Sequence, residues 1–256
     1  MTELYFWAVA ALAVLIVALS KSGLLGSLGL VGVPLLSLVM PARDAAGMLL
    51  PLLLVMDVIA VWTYRKEADW RILRNMLPGA MAGTVIGWVL WSFVSDAMVL
   101  LFVGILTLLF VLDAILPLRK KLEGLPPSKP WGAFWGGAAG FTSFISHTGG
   151  PPFQIYVLPQ RLTPVLYSGT SAFFFAIVNA AKLIPYGFLG QLNVSNLTHA
   201  AILTPLAIAG VVLGVWLVRR ISVKRFYQIT YWLVFLLALK LIYDGALEVF
   251  FTGATA

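Results

Sequence analysis

Long apolar segments separated by short polar ones run along the whole chain. Spanning a bilayer as a helix takes about 20 residues, and seven segments approach that length: 4–20, 45–64, 76–92, 97–116, 164–186, 196–218 and 226–247. Shorter apolar segments, interrupted by glycine and proline, lie near 24–41, 131–146 and 151–160. The alternation with a period of two that is typical of barrel strands is absent. The pattern therefore predicts an all-α polytopic membrane protein.

Composition supports this class and excludes others. Hydrophobic residues make up 61% of the chain and charged residues 11%, which is too little charge to cover a soluble protein of 256 residues. Residues 1–5 contain no basic side chain, so we expect no cleavable signal peptide. The absence of cysteine excludes disulfides, thiol catalysis and thiolate metal sites. The net charge of +7 does not indicate a nucleic-acid-binding protein. The basic residues are concentrated in loops between the apolar segments, where membrane topology explains them.

Two sets of residues occur twice in the same order. The first recurs after 118 positions: Gly32-Val33-Pro34, Pro41 and Arg43 correspond to Gly150-Pro151-Pro152, Pro159 and Arg161. The second recurs after 127 positions: Pro78, Gly83 and Gly87 correspond to Pro205, Gly210 and Gly214. We therefore predict two homologous repeats, 1–118 and 131–256, joined by a linker at 119–130. In an apolar chain, such duplication is typical of transporters whose site lies between the repeats.

Basic residues are concentrated in three loops. Twelve of the 17 lysines and arginines lie there: Arg65, Lys66, Arg71, Arg74, Arg119, Lys120, Lys121, Lys129, Arg219, Arg220, Lys224 and Arg225. The positive-inside rule places these loops, the linker included, in the cytoplasm. The loops at 92–96 and 190–196 then lie outside. Because equivalent loops fall on opposite sides, the repeats have inverted topology, with both termini outside.

Inverted repeats need an odd number of crossings in each half. Three spanning helices per half already satisfy this, so the segments 4–41 and 131–161 must each cross an even number of times. The arm 151–160 covers only about half of the hydrocarbon thickness. We therefore predict that each repeat is a broken helical hairpin followed by three spanning helices. Two fully spanning helices remain the alternative to a hairpin.

The predicted hairpin tips, 20–29 and 142–150, are rich in glycine and hydroxyl residues. Glycine lets a ligand approach backbone N–H groups, and the prolines that follow suit the first turn of a new helix. A helix N-terminus attracts anions through its free N–H groups and its dipole. With Lys21, two such tips would bind a small oxyanion. Close helix packing is the alternative role for the glycines.

Ionisable groups inside apolar segments are costly and are usually functional or paired. Lys21, Lys182 and Asp57 are placed in this way. Asp57 either pairs with a lysine or takes up protons that drive transport. His147, at the second tip, titrates near physiological pH, and we expect its protonation to strengthen anion binding. It lacks neighbouring metal-ligand residues, so no metal and no other cofactor is expected.

Arg43 and Arg161 lie at the feet of the predicted hairpins. We expect them to cap the preceding helical arm or to extend toward the membrane surface, outside the anion site.

Several motifs resemble those of a known transporter family. In the first half they are Ser20-Lys21-Ser22-Gly23 with Gly26 and Gly29, Val33-Pro34-Leu35, and Leu50-Pro51 to Met56-Asp57. In the second half they are Gly140-Phe141-Thr142-Ser143-Phe144, His147-Thr148-Gly149-Gly150-Pro151-Pro152, and Asn179 with Lys182. The chain resembles, over essentially its whole length, the sulfite exporter TauE/SafE family, also called the toluene sulfonate uptake permease family. Gly29-Leu30-Val31-Gly32 departs from the consecutive glycines of many members.

The resemblance implies a multi-pass protein of the bacterial inner (plasma) membrane that transports sulfite or small organosulfonates. It adds Asn179 to the residues that the tips suggest. The predicted substrate-binding residues are Lys21, Ser22, Gly23, Gly26, Gly29, Ser143, Ser146, His147, Thr148, Gly149, Gly150, Gln154, Asn179 and Lys182. Asp57 and His147 are the predicted proton-coupling residues.

The leading hypothesis is a secondary transporter, and not an enzyme, that exports sulfite or an organosulfonate such as sulfoacetate by alternating access. An anion channel is the first alternative. The second is an intramembrane enzyme with Ser143 or Ser146 as nucleophile and His147 as base. Expected partners are the anion, protons and the lipid bilayer, without nucleic acid; uniport or proton coupling, and a monomer or a homodimer, remain open.

Overall fold

Every regular element in the described part of the chain is a helix, which confirms the predicted all-α class. The computed structural model describes residues 3–22, 29, 32–93, 128–220 and 222–252, with isolated positions between 95 and 112. Gly23, Gly26, most of the predicted span 97–116 and most of the linker 119–130 therefore lie outside the described residues.

The helices follow the predicted segments closely. In the first half they are α1 (Glu3–Lys21), α2 (Gly32–Leu36), α3 (Ala42–Thr63) and α4 (Trp70–Val89). In the second half they are α5 (Lys129–Ser146), α6 (Gly150–Val157) with a 3₁₀ turn (Leu158–Gln160), α7 (Pro164–Phe188), α8 (Val194–Val218) and α9 (Val223–Leu247) with a π-helical turn (Glu248–Thr252).

Among the described residues, four helices are long and apolar enough to cross a membrane: α1, α3, α7 and α8. They match the predicted spans 4–20, 45–64, 164–186 and 196–218. Helices α4 and α9 occupy the predicted spans 76–92 and 226–247. Because α4 begins at Trp70, its first turns contain Arg71 and Arg74.

The segment 129–160 folds back on itself as a helical hairpin. Helix α5 ends at His147, whose left-handed backbone (φ 56°) reverses the chain direction. Helix α6 then returns toward the beginning of α5, where the Tyr156 hydroxyl donates to the Ser128 carbonyl at 2.9 Å. In the first half, α2 packs against α1 and α3, with Gly32 beside Val17 and Leu49.

Helices from opposite halves of the chain pack against each other at glycines. Helix α4 packs along α5, and α1 packs along α8. A Cβ atom at Gly79 or Gly83 of α4 would overlap the α5 backbone at Ala133 or Gly137. In α8, a Cβ at Gly210 or Gly214 would overlap the side chains of Ala18 or Ser22 of α1. These glycines therefore allow close contact between helices.

One end of the helix bundle collects the basic residues of the described loops. The Tyr64 hydroxyl donates to the Ser22 carbonyl at 2.9 Å, and the Arg219 guanidinium lies 6.0 Å from the Tyr64 ring. Helix α4 begins at this end, shortly after Tyr64. Helix α5 begins beside it, because the Tyr156 hydroxyl contacts both Asn75 and Ser128. The beginning of α1 lies at the opposite end, where Phe6 packs on His199.

The α4–α5 contact predicts a position-specific effect of one methyl group. Gly83→Ala should destabilise the protein by about 1–3 kcal/mol, because its Cβ meets the carbonyl of Gly137. Gly187→Ala is the control, because nothing lies within 4 Å of a Cβ there. In purified protein, Gly83→Ala should lower the melting temperature by roughly 2–12 °C, while the control should leave it unchanged or raise it. Equal melting temperatures for the two variants would refute the close contact.

Candidate functional site

A polar cavity of about 60 Å³ lies between α1, α3, α7 and the tip of the α5–α6 hairpin. At about 15 Å³ for one water, it has room for about four waters or for a small anion. Its polar lining consists of Ser20, Lys21, Ser143, His147, Ser171 and Asn179. Gly29 and Gly150 also line it, together with the apolar residues Val17, Leu49, Leu53 and Phe175.

Lys21 presents a positive charge at the cavity wall. It is the last residue of α1, and its ammonium group donates to Asp57 Oδ1 of α3 at 2.6 Å. The Asn179 amide of α7 donates to the other carboxylate oxygen at 2.6 Å. The Lys21 ammonium also lies 5.2 Å from the centre of the Phe175 ring, a favourable cation–π distance. The Asp57 side chain is 3% exposed, so these contacts replace the water that it loses on burial.

Lys182 supplies a second amine behind the cavity wall. It is fully buried in α7, where its Nζ donates to the Ser143 carbonyl at 2.9 Å and to the Ser143 hydroxyl at 3.1 Å. Its third partner is His147 Nδ1, at 2.8 Å. Three acceptors match the three donors of an ammonium group.

His147 is held in one tautomer by contacts on both sides of its ring. Its Nε2 lies 2.9 Å from the Ala46 carbonyl. A carbonyl only accepts, so Nε2 carries the proton and Nδ1 accepts from Lys182. A second proton, on Nδ1, would point at the Lys182 amine. This arrangement therefore requires a neutral imidazole.

The turn that carries His147 is stabilised by nearby hydroxyl groups. The N–H of His147 donates to the Ser143 carbonyl at 3.1 Å, and that of Thr148 to the Thr142 carbonyl at 3.3 Å. The hydroxyls of Ser146 and Thr148 lie 2.9 Å apart. Glycine usually occupies such a left-handed position, where other residues cost about 1–2 kcal/mol. The histidine is thus placed at the tip by a turn that local hydrogen bonds support.

The beginning of α6 offers fewer N–H donors than the sequence analysis expects. Pro151 and Pro152 have no N–H group, and the N–H of Phe153 already donates to the Gly149 carbonyl at 3.2 Å. Gly150 is the residue of this turn that lines the cavity. An anion here would meet the positive end of the helix dipole rather than a full set of backbone donors.

The predicted substrate-binding residues divide into those that line the cavity and those that do not. Lys21, Gly29, Ser143, His147, Gly150 and Asn179 line it. Lys182 lies one hydrogen bond behind it, as does the predicted coupling residue Asp57. Ser22, Ser146, Thr148, Gly149 and Gln154 are not among the lining residues.

Contacts elsewhere explain the positions of those other residues. The Ser22 hydroxyl donates to the Leu19 carbonyl at 2.6 Å. Ser146 and Thr148 stabilise the turn at His147. A Cβ at Gly149 would overlap Ala139 and Ser143, so this glycine serves packing. Gln154 is buried in α6 away from the cavity.

Sequence reasoning missed six cavity residues: Ser20, Ser171, Phe175 and the aliphatic residues Val17, Leu49 and Leu53. Ser171, Phe175, Asn179 and Lys182 follow one another on α7 at intervals of four, four and three residues. Such intervals place side chains on one helix face, so the spacing from Asn179 and Lys182 could have identified Ser171. Ser20 lies in the predicted tip 20–29 and in the motif Ser20-Lys21-Ser22-Gly23, so its position could also have identified it.

Arg43 lies outside the cavity, as expected. It is exposed, and its guanidinium lies 5.4 Å from the centre of the Trp91 ring. Arg161 is also exposed and follows the 3₁₀ turn in a left-handed conformation with φ 55°. Within the described residues, no group of three or more His, Asp or Glu side chains could hold a metal ion.

The described hydrogen bonds join Ser143, the first candidate nucleophile, to His147 only through Lys182, and they join no carboxylate to His147. The enzyme alternative requires a relay that joins a nucleophile to a base and the base to an orienting group. The contacts of His147 are instead Lys182 and Ala46. Asp57 contacts Lys21 and Asn179, and Ser146 contacts Thr148.

Comparison with known proteins assigns the family. The model of the family described as "Sulfite exporter TauE/SafE" matches residues 10–241, which include every residue of the cavity. No curated protein and no solved structure matches the chain. Because the match extends over nearly all of the 256 residues, the chain belongs to the sulfite exporter TauE/SafE family of membrane transporters.

Proposed function

We propose that this protein is a secondary transporter that exports sulfite or an organosulfonate such as sulfoacetate through the cavity at Lys21. The observation that carries the proposal is a half-buried ammonium group, that of Lys21, at the wall of a small cavity that several polar side chains line. An anion in the cavity would contact this ammonium group beside Asp57, which remains its partner. The serine hydroxyls and the Asn179 amide at the wall offer donors for the other oxygens.

Charge balance distinguishes a monoanion such as hydrogen sulfite from a dianion such as sulfoacetate. We take Lys182 as an ammonium group because three polar atoms lie within 3.1 Å of its Nζ. With Lys21 also charged, Asp57 as a carboxylate and His147 neutral, the proposed site carries one excess positive charge. A monoanion neutralises this excess. A dianion leaves one negative charge in a buried site, which is costly unless Asp57 takes up a proton.

The helix packing supports inverted repeats. If α1–α4 correspond in order to α5–α8, the contact of α4 with α5 corresponds to that of α8 with α1. The contact of α3 with α8 likewise corresponds to that of α7 with α4, and all four contacts are present. Helices α1 and α5 begin at opposite ends of the bundle. A two-fold axis in the membrane plane produces this pattern.

Alternating access would then proceed by motion of the two hairpins around the cavity, which residues of both halves line.

Export needs no other energy source, because an inside-negative potential drives anions out by about 2.3 kcal/mol per charge per 100 mV. We place the protein in the bacterial inner membrane, with the basic loops inside and both termini outside.

Removing the Lys21 charge should weaken anion binding. Lys21→Met alone would leave Asp57 buried and unpaired, which costs about 3–5 kcal/mol, so the informative variant is Lys21→Met with Asp57→Asn. We expect this double variant to fold and to bind sulfite at least tenfold more weakly, since hydrogen bonds to charged groups contribute about 1.5–3 kcal/mol. Isothermal titration and counterflow in proteoliposomes measure both effects.

Arg43→Gln is the control for the Lys21 variant, because Arg43 lies outside the cavity. It should bind sulfite within about threefold of the unmodified protein. Unchanged affinity in the double variant, or an equal loss in Arg43→Gln, would place the anion elsewhere.

The charge balance predicts pH dependence for dianions only. Binding of sulfate should bring one proton to Asp57, so its affinity should rise by up to about tenfold for each unit that the pH falls. Methanesulfonate, a monoanion, should show no such dependence. Asp57→Asn should bind sulfate more tightly and without pH dependence, because the variant site carries two excess positive charges. Titrations at several pH values test this, and a pH response that survives Asp57→Asn would exclude Asp57 as the proton acceptor.

The hydrogen bonds of His147 predict that it does not carry the coupling proton. Its Nδ1 faces the Lys182 amine, and its Nε2 proton is used by Ala46. His147→Gln should therefore retain the pH dependence of sulfate binding, even if overall affinity changes. Loss of that dependence, with the melting temperature preserved, would support the sequence-based hypothesis that His147 protonation strengthens binding.

A further inference from the structure

A second cavity opens at the basic end of the helix bundle, between the first turns of α4 and α5. Its volume is about 590 Å³, far larger than that of the cavity at Lys21. It is lined by Arg71, Arg74, Asn75 and Pro78 from α4 and by Lys129 and Ala133 from α5. The two cavities share no lining residue.

Three cationic side chains line this cavity, and none of them pairs with a carboxylate in the part of the chain that the structure describes. They are Arg71, Arg74 and Lys129, and all three are exposed. The nearby carboxylate of Asp69 caps α4, where it accepts from the backbone N–H groups of Arg71 and Ile72 at 2.9 and 3.2 Å. The cavity therefore carries an excess of positive charge that a ligand can neutralise.

The cavity has a floor that hydrogen bonds hold in place. The Asn75 amide donates to the Tyr156 hydroxyl at 3.1 Å, and this hydroxyl donates to the Ser128 carbonyl at 2.9 Å. The α4 helix, the α6 helix and the residue before α5 are joined in this way. The close contact of Gly79 with Ala133 fixes the separation of α4 and α5 directly beneath. The cations are thus mounted on a rigid frame and need little ordering on binding.

Aromatic residues indicate the depth of this cavity in the bilayer. Trp70 and Trp131, in the first turns of α4 and α5, are 50% and 56% exposed. Trp131 stacks on Phe134, with ring centres 5.6 Å apart. Half-exposed tryptophans at helix ends are typical of the headgroup layer of a membrane. The cations therefore lie at the level of the lipid phosphates.

We infer that this cavity binds a phosphoryl group and that an anionic phospholipid headgroup occupies it in the membrane. Arginine is suited to this ligand, because its planar guanidinium forms paired hydrogen bonds with phosphate oxygens. Lys129 adds a point charge from the opposite helix. A basic cavity between helices on the cytoplasmic side is the setting in which acidic headgroups bind. A soluble phosphate ester has the same chemistry but no acyl chains to hold it at this depth.

The test compares lipids on the full-length protein purified in detergent, with native mass spectrometry to count bound lipids. Phosphatidylglycerol is compared with phosphatidylcholine carrying the same acyl chains. At about fivefold per cation, Arg71→Gln with Arg74→Gln should weaken phosphatidylglycerol binding by roughly thirtyfold. Arg65→Gln with Arg220→Gln is the matched control, because it removes two charges that stack on Trp62 and Trp216 outside the cavity. The control should lose less than about threefold.

Equal losses in the two double variants would reveal a general charge effect and overturn the site. A protein that binds both lipids equally well would also overturn it.

Glycerol 1-phosphate serves as the soluble competitor. If it displaces phosphatidylglycerol at equal concentration, the lipid assignment fails and a soluble phosphate ester is the ligand. If the arginine variant does not fold, Ala133→Leu fills the cavity while keeping all three cations. Retention of phosphatidylglycerol by that variant overturns the proposal.

Discussion

The buried carboxylate of Asp57 is the group on which the arrangement of this protein depends. A lone charge in such surroundings is costly, and Asp57 is stabilised by one partner from each half of the chain. Lys21 occupies one carboxylate oxygen from the first half, and Asn179 occupies the other from the second. Bringing those partners together places the end of α1 beside α7, and the cavity lies where they meet. The three side chains that stabilise this buried charge thus also form part of the proposed binding site.

Glycine residues allow helices from the two halves of the chain to pack closely. At Gly79 and Gly83, no side chain separates the backbones of α4 and α5. The hairpin of the second half therefore packs closely against α4 of the first half. The contact of α8 with α1 has the same basis in Gly210 and Gly214. Without a hydrophobic effect between helices in lipid, close van der Waals contact is what holds them together. The repeated glycines are therefore part of the packing that brings the hairpin tips to the cavity.

The sequence predicts the helices well, because apolar length and Gly-Pro breaks are local signals. It also identifies the ionisable residues of the site, since charge inside an apolar segment is conspicuous. What it misses are properties that arise only on packing. The missing N–H groups of Pro151 and Pro152 matter only once Gly150 is seen at the cavity wall, and Gly149 proves to be a packing residue. The tautomer of His147 depends on Ala46 and Lys182, which are 101 and 35 residues away in the chain.

The two prolines at the beginning of α6 also bear on how quickly a ligand can leave. A helix end with a full set of N–H donors holds an oxyanion by several directional bonds, all of which must break before release. With those donors removed, the helix contributes mainly a diffuse field, which weakens gradually as the ion moves away. Affinity differences between related sites reside mostly in the dissociation rate. In the proposed transporter, which turns over no faster than it releases its anion, Pro151-Pro152 would favour a short residence of the anion.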